Sequence, residues 1–406
     1  MRSDHTQKLL GRVLVAAALL LLAFNLRPLF SSTAVLLPDI IRGLNLSAAT
    51  AGYLTTLPVL CMGVFAPLAP RIAQRIGVER TLLLVLALIT LGVGLRGFVS
   101  TSVLFLGTGL AGAGIAVGNV LLPSLIKRDF ADKAALMTGL YTTSLVGGAS
   151  LAAASTLPLA QWFGEHWSWG LAFWAVPALL ATLVWSPVAI RAGGRSSNGR
   201  HILPVRGLYR DPLAWAVTLF MGLQSALAYC VLGWMAPILR AGGLSGTEAG
   251  LVTSVSLLLQ VVSCLVTPWL AMRFHSQRGL AVWLTSLATL GLMGMVLGPR
   301  WAIWPLAVLQ GLGQGGLFAL ALMFIVLRSR DANVAAHLSS MSQATGYILA
   351  ASGPLLVGAL FAWTGSFQVT SALFAFLGLT SGLAGWYAGR PAYVKAVAVA
   401  SSADDA

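Results

Sequence analysis

The stretch AFNLRPLFSS, residues 23–32, places an arginine in the middle of an apolar run that extends from about residue 13 to residue 37. At 1.5 Å per residue, such a run is long enough to cross a bilayer core of about 30 Å. A guanidinium at mid-depth keeps its charge, so Arg27 costs on the order of 3 kcal/mol or more unless it faces water or a partner. The stretch therefore predicts a membrane-spanning helix whose Arg27 faces a polar cavity built by the rest of the chain.

The composition is typical of a protein with many membrane spans. The 406 residues are 58% hydrophobic and only 9% charged, whereas soluble proteins carry about 25% charged residues. Mean hydropathy is +0.86. The net charge of +14 lies in loops between apolar runs, so we attribute it to membrane topology and expect no nucleic-acid partner.

The sequence offers little for metal or cofactor chemistry. Cys61, Cys230 and Cys264 lie inside apolar segments and form no Cys-x-x-Cys pair, which indicates packing residues and no metal site. The sequence has no Gly-Lys-Ser/Thr phosphate loop, so direct ATP drive is unsupported. We therefore expect no cofactor, no catalytic residue and no enzymatic activity.

Twelve apolar segments can be counted along the chain. Their internal Pro and Gly residues are tolerated in transmembrane helices, and the sequence lacks the alternating strands of about ten residues that are typical of barrels. We therefore predict an all-α integral membrane protein. The segments, numbered here as spans 1 to 12, cover residues 13–37, 48–70, 81–99, 102–125, 135–160, 169–189, 213–238, 248–271, 279–298, 302–327, 335–360 and 368–388.

The basic residues predict the orientation of these spans. Twenty of the twenty-five Lys and Arg residues lie before span 1, in the loops after the even-numbered spans up to span 10, or in the tail. The opposite face holds only Arg42, Arg96, Arg240 and Arg300. Because cytoplasmic loops are enriched in Lys and Arg, we expect both termini in the cytoplasm of a bacterium, with the chain in its inner membrane. The first run lacks a small-residue cleavage site, so we expect a retained helix.

The chain divides into two similar halves. The polar stretch 190–212 predicts a flexible cytoplasmic linker between bundles 1–189 and 213–390, and the tail 391–406 is predicted to be disordered in the cytoplasm. Residues 198 positions apart match between the halves, which indicates a parallel repeat of the kind that secondary transporters use for alternating access. The matched pairs include Arg42 and Arg240, Ser47 and Ser245, Pro70 and Pro268, Arg75 and Arg273, and Arg80 and Arg278.

The loop after span 2, PRIAQRIGVER over residues 70–80, resembles the signature loop of the major facilitator superfamily. Arg75, Gly77 and Arg80 match that motif, whereas Gln74 stands where the family usually has Asp. Thr108 takes the approximate place of the span-4 Arg that is common in proton-coupled exporters of the family. The resemblance implies twelve helices in two pseudo-symmetric six-helix bundles, with a gating role for the loop motif.

Three further strings narrow the resemblance to one branch of that superfamily. They are FNLRPLFSS over residues 24–32, GYLTTLP over 52–58 and GNVLLPSLIKRDF over 118–130. Together they are similar to the cyanate transporters and nitroimidazole exporters, and closer to the latter. The resemblance implies export of a nitroimidazole-like compound, although substrates do not transfer reliably within a fold family.

Arg27 is the first candidate for substrate binding, because its planar fork of donors suits carboxylate, cyanate or nitro oxygens. Pro28 disturbs the turn before it, and local unwinding of this kind often lies beside transporter sites. The alternative is an Arg bonded to carbonyls of neighbouring helices. The other candidates in the first half are Asn25, Ser31, Thr55, Asn119 and Tyr141, and for Thr55 a bond to its own helix carbonyl is an open alternative.

In the second half, polar side chains recur at helical spacing within apolar spans. Amides are costly in lipid, so we expect them to face inward and to suit a polar aromatic ring such as an imidazole. Hydrogen bonding between helices is the alternative role. The candidates are Gln224 and Tyr229 in span 7, Gln260 in span 8, Gln310 and Gln314 in span 10, and Gln343 and Tyr347 in span 11.

The sequence gives little indication of which ion, if any, drives transport of the solute. All eleven acidic residues lie outside the centres of the apolar spans, yet a proton relay normally needs an ionisable group inside the membrane. His337 at the start of span 11 and Asp39 at the outer end of span 1 are weak candidates. A proton is therefore one option for the coupling ion, beside substrate protonation or exchange.

These observations predict a monomeric secondary transporter whose partners are a small polar or anionic solute and the lipid bilayer. The site should lie between the halves at mid-depth. Efflux of 2-nitroimidazole-like compounds is the leading hypothesis. A cyanate-type anion transporter and a broad drug exporter are rivals, and a passive channel or a membrane sensor is a further alternative.

Overall fold

A computed structural model describes residues 14–130, 133–191 and 205–398. Within those ranges, twelve helices are long and apolar enough to cross a membrane, which confirms the predicted all-α architecture. The predicted span 1 ends too early, because its helix continues to Leu44. Two short strands, β1 (Val205–Arg206) and β2 (Val397–Ala398), pair in antiparallel fashion.

Nine of the twelve spans are single helices within the described residues, and spans 1, 2 and 6 each consist of two helical segments. In chain order the helices of spans 1 to 6 are 14–24 with Pro28–Leu44, Ala48–Phe65 with Ala69–Ile76, Val78–Leu95, Thr101–Asp129, Ala134–Trp162, and Trp167–Ala172 with Ala175–Arg191. Those of spans 7 to 12 are Pro212–Ala241, Gly246–Met272, Arg278–Leu297, Ile303–Leu327, Ala332–Thr364 and Thr370–Ala388. Short 3₁₀ turns cover Ala66–Leu68, Leu208–Arg210 and Arg300–Ala302.

The helix of span 1 breaks at residues 25–27, immediately before Pro28. Pro28 occupies the first position of the second helical segment, where its missing N–H is not needed. The backbone N–H groups of Asn25 and Leu26 instead bond three residues back, to Leu22 and Ala23, at 3.0 and 3.1 Å. The expected unwinding beside Arg27 is therefore confirmed.

The two halves pack together through close contacts between spans 2 and 11 and between spans 5 and 8. Gly52 lies so close to Gly358 that a Cβ added at Gly52 would stand 3.3 Å from the Gly358 Cα. A Cβ added at Gly250 would stand 2.4 Å from the Ala153 carbonyl oxygen. These glycines lie at the end of the bundle that carries the loop between spans 7 and 8. The halves are therefore closed against each other at that end.

The linker was predicted to be flexible and the tail disordered, but residues 205–212 and 391–398 make specific contacts. Asp211 accepts hydrogen bonds from the backbone N–H of Leu213 (2.6 Å) and from that of Lys395 (2.6 Å). Val394 is fully buried and donates its backbone N–H to the Arg328 carbonyl at 2.8 Å. The prediction of a disordered tail is wrong for residues 391–398, because an apolar side chain and a shared cap fix the segment. The rest of the linker and tail lies outside the described residues.

Candidate functional site

Arg27 lies at the boundary between the two halves, where the break in span 1 leaves it between helical segments. Its Nη1 donates to the Tyr229 hydroxyl of span 7 at 3.1 Å. Its guanidinium carbon lies 5.6 Å from the centre of the Tyr229 ring and 5.7 Å from that of Phe30. Such distances allow cation–π attraction. In the described part of the chain, Arg27 takes part in no ion pair.

An aromatic cluster surrounds this cation. The rings of Phe30 and Tyr229 have centres 5.5 Å apart, and those of Tyr229 and Tyr347 are 6.3 Å apart in an edge-to-face arrangement. The Tyr229 hydroxyl also donates to Met62 Sδ at 3.0 Å. Tyr229 therefore has both a partner in span 1 and one in span 2, and it holds Arg27 with a neutral oxygen.

A cavity of about 660 Å³, a volume that includes space open to solvent, adjoins Arg27. Its walls come from spans 1, 5, 7, 8, 10 and 11 and are mainly apolar, and no Asp or Glu is among the lining residues. The polar side chains that line it are Arg27, Thr142, Ser225, Tyr229, Gln260, Gln314 and Tyr347.

Five of the predicted binding residues meet at this cavity. They are Arg27, Tyr229, Gln260, Gln314 and Tyr347. Gln224 lies directly behind Gln314, whose Nε2 donates to the Gln224 backbone carbonyl at 3.0 Å and to its Oε1 at 3.2 Å. The structure thus brings together candidates from spans 1, 7, 8, 10 and 11, which lie far apart in the sequence.

In the first half, the other candidates lie away from the cavity lining. Asn25 donates its Nδ2 to the Leu21 carbonyl at 2.8 Å and to the Pro177 carbonyl at 3.2 Å, so it faces span 6. Thr55 donates to the Gly52 carbonyl at 3.0 Å, as the alternative reading of its role anticipated. Ser31 Oγ and Asn119 Nδ2 are buried without a hydrogen-bond partner among the described residues. Tyr141 packs, half-buried, against the apolar core.

In the second half, Gln310 and Gln343 also lie outside the lining. Gln310 Oε1 accepts a hydrogen bond from Ser256 Oγ of span 8. Gln343 Nε2 donates to Ser339 Oγ at 2.8 Å, within the same helix. Each amide therefore has one end bonded within the second half, while Gln310 Nε2 has no partner among the described residues. Direct contact with substrate remains a prediction for both.

Sequence reasoning missed Thr142, Ser225 and Cys264 as lining residues. Thr142 directly follows the candidate Tyr141, and a step of one residue turns a side chain by about 100° around a helix. Cys264 was assigned to packing, yet it lies four residues after Gln260 and shares its face. That spacing was a usable signal for Cys264.

Arg96 is a buried arginine, and the sequence did not predict its surroundings. The distribution of charges assigned it to the outer face, and its side chain is fully buried inside the first half. Its Nη2 donates to Thr33 Oγ1 at 2.6 Å, while Nε and Nη1 have no partner among the described residues. Thr33 in turn donates to the Leu29 carbonyl at 2.6 Å. Arg96 is therefore connected to the segment of span 1 that follows Arg27.

The loop between spans 2 and 3 begins a new helix at a strained glycine. Gly77 has φ +89°, and its carbonyl accepts from Thr81 Oγ1 at 2.7 Å. Arg75 and Arg80 are exposed. Arg128 at the end of span 4 pairs with Glu79 at 2.5 Å. In this loop Glu79 therefore provides a carboxylate link between helices although Gln74 replaces the usual Asp.

The two coupling candidates lie away from the cavity. Asp39 pairs with Arg42 at 2.5 Å within span 1 and with Arg240 of span 7 at 2.7 Å. Arg240 also donates to the Val35 carbonyl at 3.1 Å. His337 lies near the start of the helix of span 11 and does not line the cavity. A coupling role stays a prediction for both residues.

Twelve spanning helices in two matching halves, with a cavity between them, define a multi-pass transport protein. The chain belongs to the Major Facilitator Superfamily, whose family model matches residues 13–242. It is 38% identical to the 2-nitroimidazole transporter of Escherichia coli (strain K12), over 95% of this chain and 98% of that protein. It is 31% identical to the cyanate transport protein CynX of the same organism, over 88% of this chain and 92% of that protein.

Solved structures share the fold. The crystal structure of a D-xylose-proton symporter matches with a TM-score of 0.70, over 94% of this chain and 98% of that one. Its sequence identity is 14%, so this likeness concerns the fold alone. It confirms the predicted architecture, and the family match confirms the class of secondary transporter.

Proposed function

We propose that the protein exports 2-nitroimidazole-like compounds across a bacterial inner membrane, as a monomer with both termini in the cytoplasm. The observation that carries this proposal is the cavity between the halves, where Arg27 meets aromatic rings and no carboxylate. A nitro group presents two oxygens to such a fork of donors, and an azole ring suits the faces of Tyr229 and Tyr347. The 2-nitroimidazole relative supports the same choice of substrate.

Transport follows from motion of bundle 1–189 against bundle 213–390 around this cavity. The Arg27–Tyr229 bond joins the two bundles at the site itself, so a ligand that bonds Arg27 competes with Tyr229 for the guanidinium. At the end that is closed here, Asp39 and Arg240 must separate for the cavity to open there.

A cyanate-type anion transporter is the second candidate. It is favoured by the same unpaired cation, because a small anion needs a positive site without competing carboxylates. The CynX relative supports this candidate. A broad exporter of cationic drugs is less well supported, since no acidic side chain lines the cavity.

Growth protection tests the proposed substrate. A susceptible strain that carries the intact gene should tolerate 2-nitroimidazole at a higher concentration than the same strain with an empty vector, and its tolerance of cationic dyes should be unchanged. Protection against dyes alone would instead favour the broad exporter, and protection against cyanate alone the anion transporter. Accumulation against a gradient in sealed inverted vesicles would exclude a passive channel.

A further inference from the structure

Gln314 is a fully buried polar residue of the cavity whose hydrogen bonds are incomplete among the residues that the structure describes. It is only 1% exposed and lines the cavity, and its Oε1 has no hydrogen-bond partner among the residues that the structure describes. A buried acceptor without a donor costs about 1–3 kcal/mol. Such a group in a ligand cavity marks a contact that the ligand completes.

The orientation of the Gln314 amide is fixed by its surroundings. Its other end lies 3.0 Å from the backbone carbonyl of Gln224. A carbonyl oxygen can only accept, so the end that faces it must be the NH₂ group. Exchanging the two ends would place two acceptors against each other, and Oε1 is therefore the free end.

Arg27 and Gln314 thus bring opposite hydrogen-bonding character to the cavity. Arg27 on span 1 offers N–H donors, and Gln314 on span 10 offers an acceptor. The rings of Tyr229 and Tyr347 and the apolar Leu232, Leu257 and Phe318 line the same cavity. A ligand that satisfies both residues has acceptor oxygens at one position and an N–H or O–H donor at another, on a flat apolar body.

We infer that Gln314 Oε1 accepts a hydrogen bond from an N–H or O–H group of the substrate, and that this contact selects ring compounds with a free donor. The inference rests on the proposed function, since it concerns the same cavity. It assigns the specificity for the donor-bearing edge of the substrate to span 10, while Arg27 binds the acceptor oxygens.

A pair of ligands tests this inference on the full-length protein in detergent. 2-Nitroimidazole carries a ring N–H, and 1-methyl-2-nitroimidazole replaces that hydrogen with a methyl group. Because the methylated compound leaves Oε1 unpaired, we expect it to bind about tenfold more weakly, as measured by isothermal titration calorimetry. Equal affinities within this pair and within the second ligand pair described below would overturn the inference. Failure of both nitroimidazoles to bind would instead reject the proposed substrate, and the second pair would then decide the inference by itself.

Two variants test whether Gln314 is the residue responsible for the difference in affinity between the two nitroimidazoles. Gln314→Met removes the acceptor at similar length, so the affinity ratio should fall from about ten to about one. Gln310→Met is the matched control, because Gln310 lies one turn away on span 10, is equally buried and does not line the cavity. It should retain the tenfold ratio. Loss of the ratio in both variants, or in neither, would contradict the assignment to Gln314.

Two kinds of ligand combine acceptor oxygens for Arg27 with a hydrogen-bond donor for Gln314. One is a nitro-substituted azole with a ring N–H, and the other is a phenol that carries a carboxylate. 4-Hydroxybenzoate and 4-methoxybenzoate form the second ligand pair. Discrimination within this pair and not within the nitroimidazole pair would identify the donor as a phenol O–H. The ligand comparison in the unmodified protein also decides the question if Gln314→Met fails to fold.

Discussion

Arg240 of span 7 donates its Nη1 to Asp39 Oδ2 of span 1 at 2.7 Å and so joins the two halves. Their side chains are 20% and 23% exposed, and Asp39 also binds Arg42, whose side chain is 73% exposed. The two arginines therefore differ in one respect that matters for gating: Arg240 belongs to the opposite half, and Arg42 to the same helix.

The first prediction concerns this ion pair. A double-mutant cycle with Asp39→Asn and Arg240→Gln should give a coupling energy of about 1 kcal/mol in thermal unfolding, because both side chains are partly shielded from water. The matched cycle with Arg42→Gln should give less than about 0.5 kcal/mol, since that pair is exposed. Equal coupling energies in both cycles would show that the Asp39–Arg240 pair between the halves is no stronger than the Asp39–Arg42 pair within span 1.

The second prediction concerns the closed seam between spans 5 and 8. Gly250→Ala would place a Cβ 2.4 Å from the Ala153 carbonyl oxygen, a distance that forces the helices apart. We expect uptake into vesicles to fall at least about tenfold, because closure at this end costs on the order of 1–3 kcal/mol more. Gly147→Ala is the control, since nothing lies within 4 Å of its added Cβ. Normal transport by Gly250→Ala would show that the close contact between spans 5 and 8 is not needed in the transport cycle.

The third prediction concerns the cap that joins the linker to the tail. Asp211 accepts from the backbone N–H groups of Leu213, Ala214 and Lys395. Asp331 at the start of span 11 accepts from that of Val334. Asp211→Ala should therefore lower the free energy of unfolding by about 2 kcal/mol, and Asp331→Ala by about 1 kcal/mol. Chemical denaturation in detergent measures both, and a smaller effect at Asp211 would contradict the shared cap.

The sequence predicted the twelve spans well, because every helix that crosses the bilayer needs a long apolar run. It also predicted the break before Pro28, since proline acts through local geometry. The prediction from sequence failed where the packing of helices determines which way a side chain points. Arg96 was assigned only to the outer face, and its inward hydrogen bond to Thr33 was not predicted.

The candidate site was predicted only in part for the same reason. Arg27, Tyr229, Gln314 and Tyr347 were found because polar groups in apolar spans are costly and must find partners. The sequence could not distinguish Gln314, which lines the cavity, from Gln310, which is four residues away and bonds to span 8. Both share one helix face, and the neighbours that each side chain meets in the folded protein separate their roles.

The central claim is that Arg27 orients the substrate with its planar fork of donors. Arg27→Lys keeps the charge but offers a single ammonium, so it should insert and fold normally. Binding of 2-nitroimidazole by calorimetry on the purified variant tests the claim most directly. We expect affinity to fall at least about tenfold, with the melting temperature of the ligand-free protein nearly unchanged. Affinity equal to that of the unmodified protein would contradict the account.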